Sequence, residues 1–273
     1  MPDARPIGVF DSGVGGLTVL HECLVTMPHE DFVYLGDHAR LPWGPRTRDE
    51  VRRFAREIAV YLEAQGVKMV VVACNTATAA ALPDLQESLA VPVVSVIVPE
   101  AHAAVQATRN RRIGLLATEL TVASGRYETL MRTLDAGVRI TAVACPKLVP
   151  LVEAGDTFSE EVAEAVREYA GPLKRAGCDT VVLGCTHYPL LRPVFQRAFG
   201  RDVTLVFSAD ETAREVAETL GRKGWENDAA REGTYRFLTT GDPVLFRSLG
   251  ERFLQLPLGE VERVAVAELE QAA

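Results

Sequence analysis

Two cysteines in this sequence sit where a thiol can do chemistry. Cys74 closes the apolar run Met69–Ala73 and is followed by Asn75 and Thr76. Cys185 follows the β-branched run Thr180–Leu183 and precedes Thr186 and His187. In open α/β sheets ligands bind outside the carboxyl ends of the strands. A cysteine at such an end, opening a helix, sees free backbone N–H groups and the positive end of the helix dipole. Both act to lower a thiol pKa from roughly 8.5 toward neutrality. A free cysteine is as a rule a small buried hydrophobe, but two at matching points, each followed by polar residues, favour function. A pair of thiols suits racemisation, which removes a proton from one face of a carbon and returns one to the other. One base cannot easily reach both faces of a fixed substrate; two acid/base groups on opposite sides can, one starting as thiolate and the other as thiol.

Other residues gather round the same reading. Asp11-Ser12-Gly13 follows the first strand, so Asp11 lies at the sheet's carboxyl edge, placed to meet a substrate ammonium group or orient a thiol proton; a plain turn aspartate is the competing reading. Gly13, Gly15 and Gly16 do not match the spacing of a dinucleotide fingerprint, and no phosphate-loop lysine follows them. Pro42-Trp43-Gly44-Pro45 is a tight loop whose N–H groups can hold a carboxylate, or an ordinary surface turn. His187 is a proton partner near neutral pH, and Glu153 is a second ionisable group able to tune a thiol. Cys23, Cys145 and Cys178 fall in or beside helix and strand patterns and are read as structural.

The elements that must position these residues alternate between short β-branched runs and longer amphipathic segments. That is the pattern of an α/β protein with mostly parallel strands. Strands are predicted at Pro6–Phe10, Phe32–Leu35, Met69–Ala73, Pro92–Ile97, Ile113–Leu116, Arg139–Ala144, Thr180–Leu183, Val203–Phe207 and Tyr235–Leu238. Thr47 to Glu50 reads as a capping box before a helix with Val51, Phe54, Ile58 and Leu62 inward. A helix from about Thr76 meets Pro83, which is expected to break or restart it. A weak internal repeat runs through the chain: Gly66 lies eight residues before Cys74 and Gly177 eight before Cys185, and Ile7-Gly8-Val9-Phe10 resembles Ile113-Gly114-Leu115-Leu116. The expected architecture is two similar doubly wound domains related by a pseudo-twofold, with the active site in the cleft between them. Residues 1–97 plus 209–273 form the first domain and 98–208 the second.

The totals narrow the class. With 273 residues the chain fits one large domain or two ordinary ones. Its net charge of −8, from 29 basic and 37 acidic residues, argues against a nucleic-acid partner, which needs Lys and Arg on one face. The basic clusters at Arg46–Arg56 and Arg109–Arg112 are read as solvated helix faces. Met1–Pro6 lacks the apolar core of a signal peptide, and the longest apolar runs are far short of a membrane span. The expected location is therefore cytoplasmic, with no membrane partner. Five cysteines in that compartment do not suggest disulfides, and no zinc spacing is present. An acidic surface of this size permits a homodimer.

The motifs themselves resemble a known family. "IGVFDSGVGGLTVL" (Ile7–Leu20), "YLGDHARLPWGPRT" (Tyr34–Thr47), "VVACNTATAAAL" (Val71–Leu82), "LVPLVEAG" (Leu148–Gly155) and "VVLGCTHYPLL" (Val181–Leu191) are similar to those of glutamate racemases, within the wider aspartate/glutamate racemase superfamily. "FSADETA" (Phe207–Ala213) and "FLTTGDP" (Phe237–Pro243) fit that family's C-terminal part. The resemblance implies two α/β domains, no pyridoxal phosphate or metal, and proton exchange by Cys74 and Cys185 from opposite faces of the α-carbon. It implies that Cys74 takes the proton from D-glutamate and Cys185 from L-glutamate, with Asp11, Glu153 and His187 assisting. Substrate contacts carried over are Asp11, Ser12, Trp43, Gly44, Asn75, Thr76, Thr186 and His187, with Thr118 and Thr121 as further carboxylate-binding positions. The product, D-glutamate, would feed peptidoglycan synthesis. One position departs: Trp43 stands where the family usually has Tyr, which matters if the phenol hydroxyl rather than the backbone makes the contact. Two other readings remain open, the same scaffold acting on aspartate or a hydantoin, and a two-lobed protein that binds an amino acid without turning it over.

Overall fold

The alternation of strands and helices becomes, in the computed structural model, two parallel sheets. The structure describes residues 2–227 and 231–273. The chain begins β1 (Ile7–Asp11), α1 (Leu17–Thr26), β2 (Phe32–Gly36), α2 (Arg48–Ala64), β3 (Met69–Val72), α3 (Asn75–Ser88), β4 (Val93–Ser95) and α4 (Ile97–Ala107). It continues with β5 (Arg112–Ala117), α5 (Glu119–Ala123), α6 (Arg126–Leu134), β6 (Arg139–Ala144), α7 (Leu148–Glu153), α8 (Glu160–Arg175), β7 (Thr180–Gly184), α9 (Arg192–Phe199) and β8 (Thr204–Val206). It closes with α10 (Ser208–Lys223), β9 (Tyr235–Thr239), α11 (Pro243–Leu254), β10 (Val261–Arg263) and α12 (Val266–Ala272). No described helix is long and apolar enough to cross a membrane.

The first sheet runs β10-β9-β2-β1-β3-β4 and the second β6-β5-β7-β8. The inner strands of the first, β2-β1-β3-β4, therefore have the order of the whole second sheet. β1 corresponds to β5 and β3 to β7, so the faint sequence repeat is a repeat of topology. Register agrees: Ile7 pairs with Met69 and Ile113 with Thr180, each partner five residues ahead of a cysteine. Strand pleating sends alternate side chains to opposite faces. In the first sheet Val9, Val71 and Tyr34 pack with Leu17, Leu20 and Leu24 of α1. Phe10, Val70, Val72 and Leu35 pack on the other face with Val51, Phe54, Ile58 and Leu62 of α2 and Ala77, Ala80 and Leu85 of α3. Helices on both faces make the sheet doubly wound.

Local chemistry sets the helix starts. Thr47 caps α2 by accepting from the Glu50 N–H, and the Glu50 carboxylate accepts from the Thr47 N–H, a capping box as expected. Pro83 does not break α3, which runs unbroken to Ser88. Its ring is exposed, while Ala77, Ala80, Ala81 and Leu85 are held against α2 and β3. Burial of that face outweighs the one lost N–H bond. The strand expected over Pro92–Ile97 is shorter, Val93–Ser95, because Ile97 opens α4. Pro99 falls in the first turn of that helix, where an N–H has no partner to lose.

Candidate active site

Residues from the carboxyl ends of both sheets line one cavity of about 200 Å³. The first sheet contributes Ser12 after β1, and Cys74, Asn75 and Thr76 after β3. The second contributes Thr118 after β5, Cys145 after β6, and Cys185, Thr186 and His187 after β7. The loop Leu41–Pro45, whose Leu41–Pro42 peptide is cis, Glu119, and Pro146, Val149 and Pro150 complete the wall. Both thiols are nearly enclosed, Cys74 at 4% and Cys185 at 6% exposure. A larger groove, about 930 Å³, runs along α3, α5 and α6 and holds neither thiol.

The two halves of the wall touch directly. The Thr76 and Thr118 hydroxyls meet at 2.9 Å, and Thr118 meets Thr121 at 2.9 Å. The Leu120 N–H donates to the Gly44 carbonyl at 3.2 Å. The Thr18 hydroxyl donates to the Thr186 carbonyl at 3.3 Å. A Cβ on Gly15 would lie 2.4 Å from Thr186 Oγ1 and 2.6 Å from His187 Cε1. Gly15 therefore lets the turn after β7 approach, a use of glycine unrelated to phosphate binding.

The surroundings of the thiols differ. Cys74 is the N-cap of α3, and its Sγ accepts from the Ala77 N–H at 3.4 Å and lies 3.8 Å from Ser12 Oγ. The lowered pKa expected from this helix position is not what results. Burial, reinforced by the Asp11 carboxyl, pushes the Cys74 thiol up to about 12, because the N–H contact cannot repay loss of water around a thiolate. Cys185 does not open an α-helix; a short 3₁₀ turn, Tyr188–Leu191, comes before α9. Its Sγ lies 3.8 Å from His187 Nδ1, and His187 Nε2 lies 2.6 Å from Glu153 Oε1. Burial acts to lower the His187 pKa, but its contacts with Cys185 and Glu153 prevail and hold it well above the usual histidine value. Burial likewise opposes ionisation of Glu153, yet His187 and then His38 bring its carboxyl down to about 2. The result is an imidazolium–carboxylate pair beside Cys185.

Of the residues singled out from sequence, Ser12, Trp43, Gly44, Cys74, Asn75, Thr76, Thr118, Cys185, Thr186 and His187 line the cavity. Asp11, Thr121 and Glu153 stand one layer behind it. Asp11 is fully buried, its carboxylate accepting from the Gly13 N–H at 2.9 Å and the Thr186 hydroxyl at 3.2 Å. Burial raises its pKa, against the lowering by His187 and the Gly13 N–H. The Trp43 indole is 1% exposed and packs on Phe54 with ring centres 5.7 Å apart, its N–H without a partner among the described residues. A larger ring in this position is thus absorbed by the α2 side of the core.

Sequence reading missed three features. Cys145, taken as structural, lines the cavity, because β6 ends level with β5. His38 lies 3.4 Å from Glu153 Oε2 and shares that carboxylate with His187. Arg40 bonds Asp37 at 2.7 Å and also Glu57, while the Thr240 hydroxyl bonds Asp37 at 2.8 Å, so the loop bearing Trp43 and Gly44 is tied to α2 and β9. Only the clustering of ionisable residues in Asp37-His38-Ala39-Arg40 hinted at this.

The depressed Glu153 carboxyl has a measurable consequence. Its folded pKa lies below the ordinary 4.5, so the stabilisation is present above that pH and is lost as pH falls through about 2. The size is on the order of 3 kcal/mol at neutral pH. Thermal midpoints followed from pH 7 to 2 should fall more steeply for the wild type than for Glu153→Gln. Parallel curves would contradict the ion pair.

Two thiols lining one cavity between matching parallel sheets are the arrangement that a two-base proton transfer needs. The model of the Asp/Glu/hydantoin racemase family matches residues 18–216, and the chain belongs to that family, an isomerase. Within it, the chain is 45% identical to the glutamate racemase of Listeria monocytogenes, over 97% of this chain and 99% of the relative. A glutamate racemase isoform from Bacillus anthracis has the same fold with a TM-score of 0.91, at 41% identity, covering 96% of this chain and 98% of that one. A Francisella tularensis glutamate racemase in complex with D-glutamate superposes with a TM-score of 0.92 at 32% identity, covering 98% and 99%.

Proposed function

We propose that this racemase interconverts L- and D-glutamate by a two-thiol proton transfer. The observation that carries the reading is the presence of Cys74 and Cys185, from equivalent strand ends of two similar sheets, in the wall of one cavity. The His187 imidazolium supplies positive charge beside Cys185, while Cys74 is held as a thiol. For L-glutamate, Cys185 acts as the base and takes the α-proton, the α-carbon becomes planar, and the Cys74 thiol returns a proton to the other face. The site is left with a protonated Cys185 and a Cys74 thiolate, which the Ala77 N–H faces, and this is the form that accepts D-glutamate. Asp11 and Glu153 act from behind, on Thr186 and His187. The Thr76, Thr118 and Thr186 hydroxyls and the Trp43–Gly44 loop bind the substrate carboxylates and ammonium group. Residues 1–97 plus 209–273 and residues 98–208 are the two domains that carry the halves of the site. Its D-glutamate product supplies peptidoglycan synthesis.

Glutamate rather than aspartate is favoured by the names of the relatives at 44–45% identity. Circular dichroism of each pure glutamate enantiomer with purified enzyme should decay to zero from either side, with one solvent deuteron appearing at the α-carbon per inversion in D₂O. Aspartate run in parallel should change at least tenfold more slowly. A steady signal from glutamate, or faster change with aspartate, would overturn the assignment.

A further inference from the structure

Behind the cavity lies a polar cluster that the proton transfer does not use. Glu100 on α4 is fully buried, and Tyr127 on α6 and Asn75 at the start of α3 are nearly so. Glu100 Oε2 accepts from Asn75 Nδ2 at 3.1 Å and from the Tyr127 hydroxyl. Tyr127 Oη in turn accepts from Asn75 Nδ2 at 2.8 Å. Asn75 directly follows Cys74. On the other side, Tyr127 abuts the residue before Cys185: a Cβ on Gly184 would lie 3.2 Å from Tyr127 Oη and 3.3 Å from its ring. The tyrosine is thus wedged between the two thiol-bearing turns, and Glu100 holds it there.

We propose that Glu100 is a positioning residue for the racemisation, acting through Tyr127 and Asn75 to fix the offset between the Cys74 turn and the Cys185 strand end. This rests on the two-thiol reading above. Three separate elements meet at one oxygen. α3 follows the first sheet's β3, α6 packs on α4 and reaches the end of the second sheet's β7 through Tyr127, and α4 is the connection between the sheets. Two donors converge on Oε2, so an apolar residue at position 100 would leave the tyrosine hydroxyl without an acceptor in a dry interior and the asparagine amide with Tyr127 Oη alone. Burial raises the Glu100 carboxyl to about 8, against the lowering by its bonds from Tyr127 and Asn75. At neutral pH it is therefore a neutral acid. Oε1 has no partner among the described residues, and Oε2 is the acceptor of both donors. The offset of two bases across one carbon is a catalytic distance, and small misplacements there cost rate rather than binding.

The test compares Glu100→Gln, Glu100→Leu and Tyr127→Phe in the full chain, with Cys74→Ala as reference. Rates are measured from both glutamate enantiomers, with protium and with deuterium at the α-carbon. Glu100→Leu should lower kcat at least tenfold with KM within threefold of wild type, and should enlarge the deuterium isotope effect as proton transfer becomes slower. Glu100→Gln keeps a carbonyl acceptor for both donors and should recover kcat to within threefold. If Glu100→Leu does not fold, Tyr127→Phe, which removes one hydroxyl, should show the same split at threefold or more. A folded Leu or Phe variant with wild-type kcat, a loss carried by KM alone or matching only the unfolded fraction, or a Gln variant as slow as Leu would overturn the proposal. An active Cys74→Ala would instead remove the two-thiol reading beneath it; a dead Cys74→Ala beside fully active Glu100 variants would remove the positioning role alone.

Discussion

Alanine at Cys185 should cut racemisation of L-glutamate by at least about 10³-fold, since a positioned acid/base group is worth roughly 10²–10⁴-fold and the transfer here has no bypass. Loss should be as deep from D-glutamate. In the proposed two-thiol transfer both directions pass through the same pair of sulfurs, and the equilibrium constant between enantiomers is one, so kcat/KM must fall equally in the two. Isotope exchange separates the thiols where net inversion cannot. With Cys185→Ala, only Cys74 remains, and D₂O should exchange the α-proton of D-glutamate without inverting it. With Cys74→Ala, only L-glutamate should exchange, by way of Cys185 and its His187 partner. The measurement is proton NMR of each enantiomer in D₂O with each variant. Either single variant that inverts at a tenth of the wild-type rate, or that exchanges both enantiomers alike, would be incompatible with thiols on opposite faces.

The second large effect concerns stability. Lys68, fully buried at the foot of β3, donates to Glu30 Oε2 at 2.6 Å, the Asp3 carbonyl at 2.7 Å and the Trp225 carbonyl at 2.9 Å. The other Glu30 oxygen accepts from the Asn227 N–H at 2.7 Å. One ammonium thus joins the N-terminal segment, the turn between α1 and β2, β3 and the segment after α10. Lys68→Met removes the cation and strands the Glu30 carboxylate inside the protein, a change that costs about 3–5 kcal/mol. For a chain of this size that is a drop of roughly 5–9 °C in thermal midpoint. Replacing both partners, Lys68→Met with Glu30→Leu, should recover most of the loss, because the desolvated charge goes with its partner. A single variant melting within about 2 °C of wild type, on the same scale, would show that the pair is not energetically buried.

Both effects turn on residues the chain brings together from afar, and they mark how far letters alone carried the reading. Cys74 and Cys185 were legible because each ends an apolar run, the form a buried parallel strand takes, and because the two runs repeat. The pairing of Ile7 with Met69 and of Ile113 with Thr180 gave that repeat a structural meaning. Glu153, by contrast, looks in sequence like any helix-end carboxylate. Its role depends on His38 and His187, which lie 115 and 34 residues away along the chain and converge only when α7 packs beside two different strand ends. Glu100 was invisible for the same reason: its partners, Asn75 and Tyr127, sit on helices from opposite sides of the cleft. Pro83 misled because a local rule about a missing N–H was set against packing that no local rule contains.

The order of elements, the parallel class of the sheets, the two thiols and their position at strand ends were determined by the sequence itself. Hydrophobic periodicity and turn chemistry are local, and a repeat needs only two segments to be compared. The charge and burial each sulfur meets were decided by tertiary structure. The environments that make Cys74 a buried thiol and keep the His187 ring beside Cys185 protonated are sums of burial and charge over residues distant in the chain. Both depend steeply on distance, and distance between far segments exists only once the chain has folded.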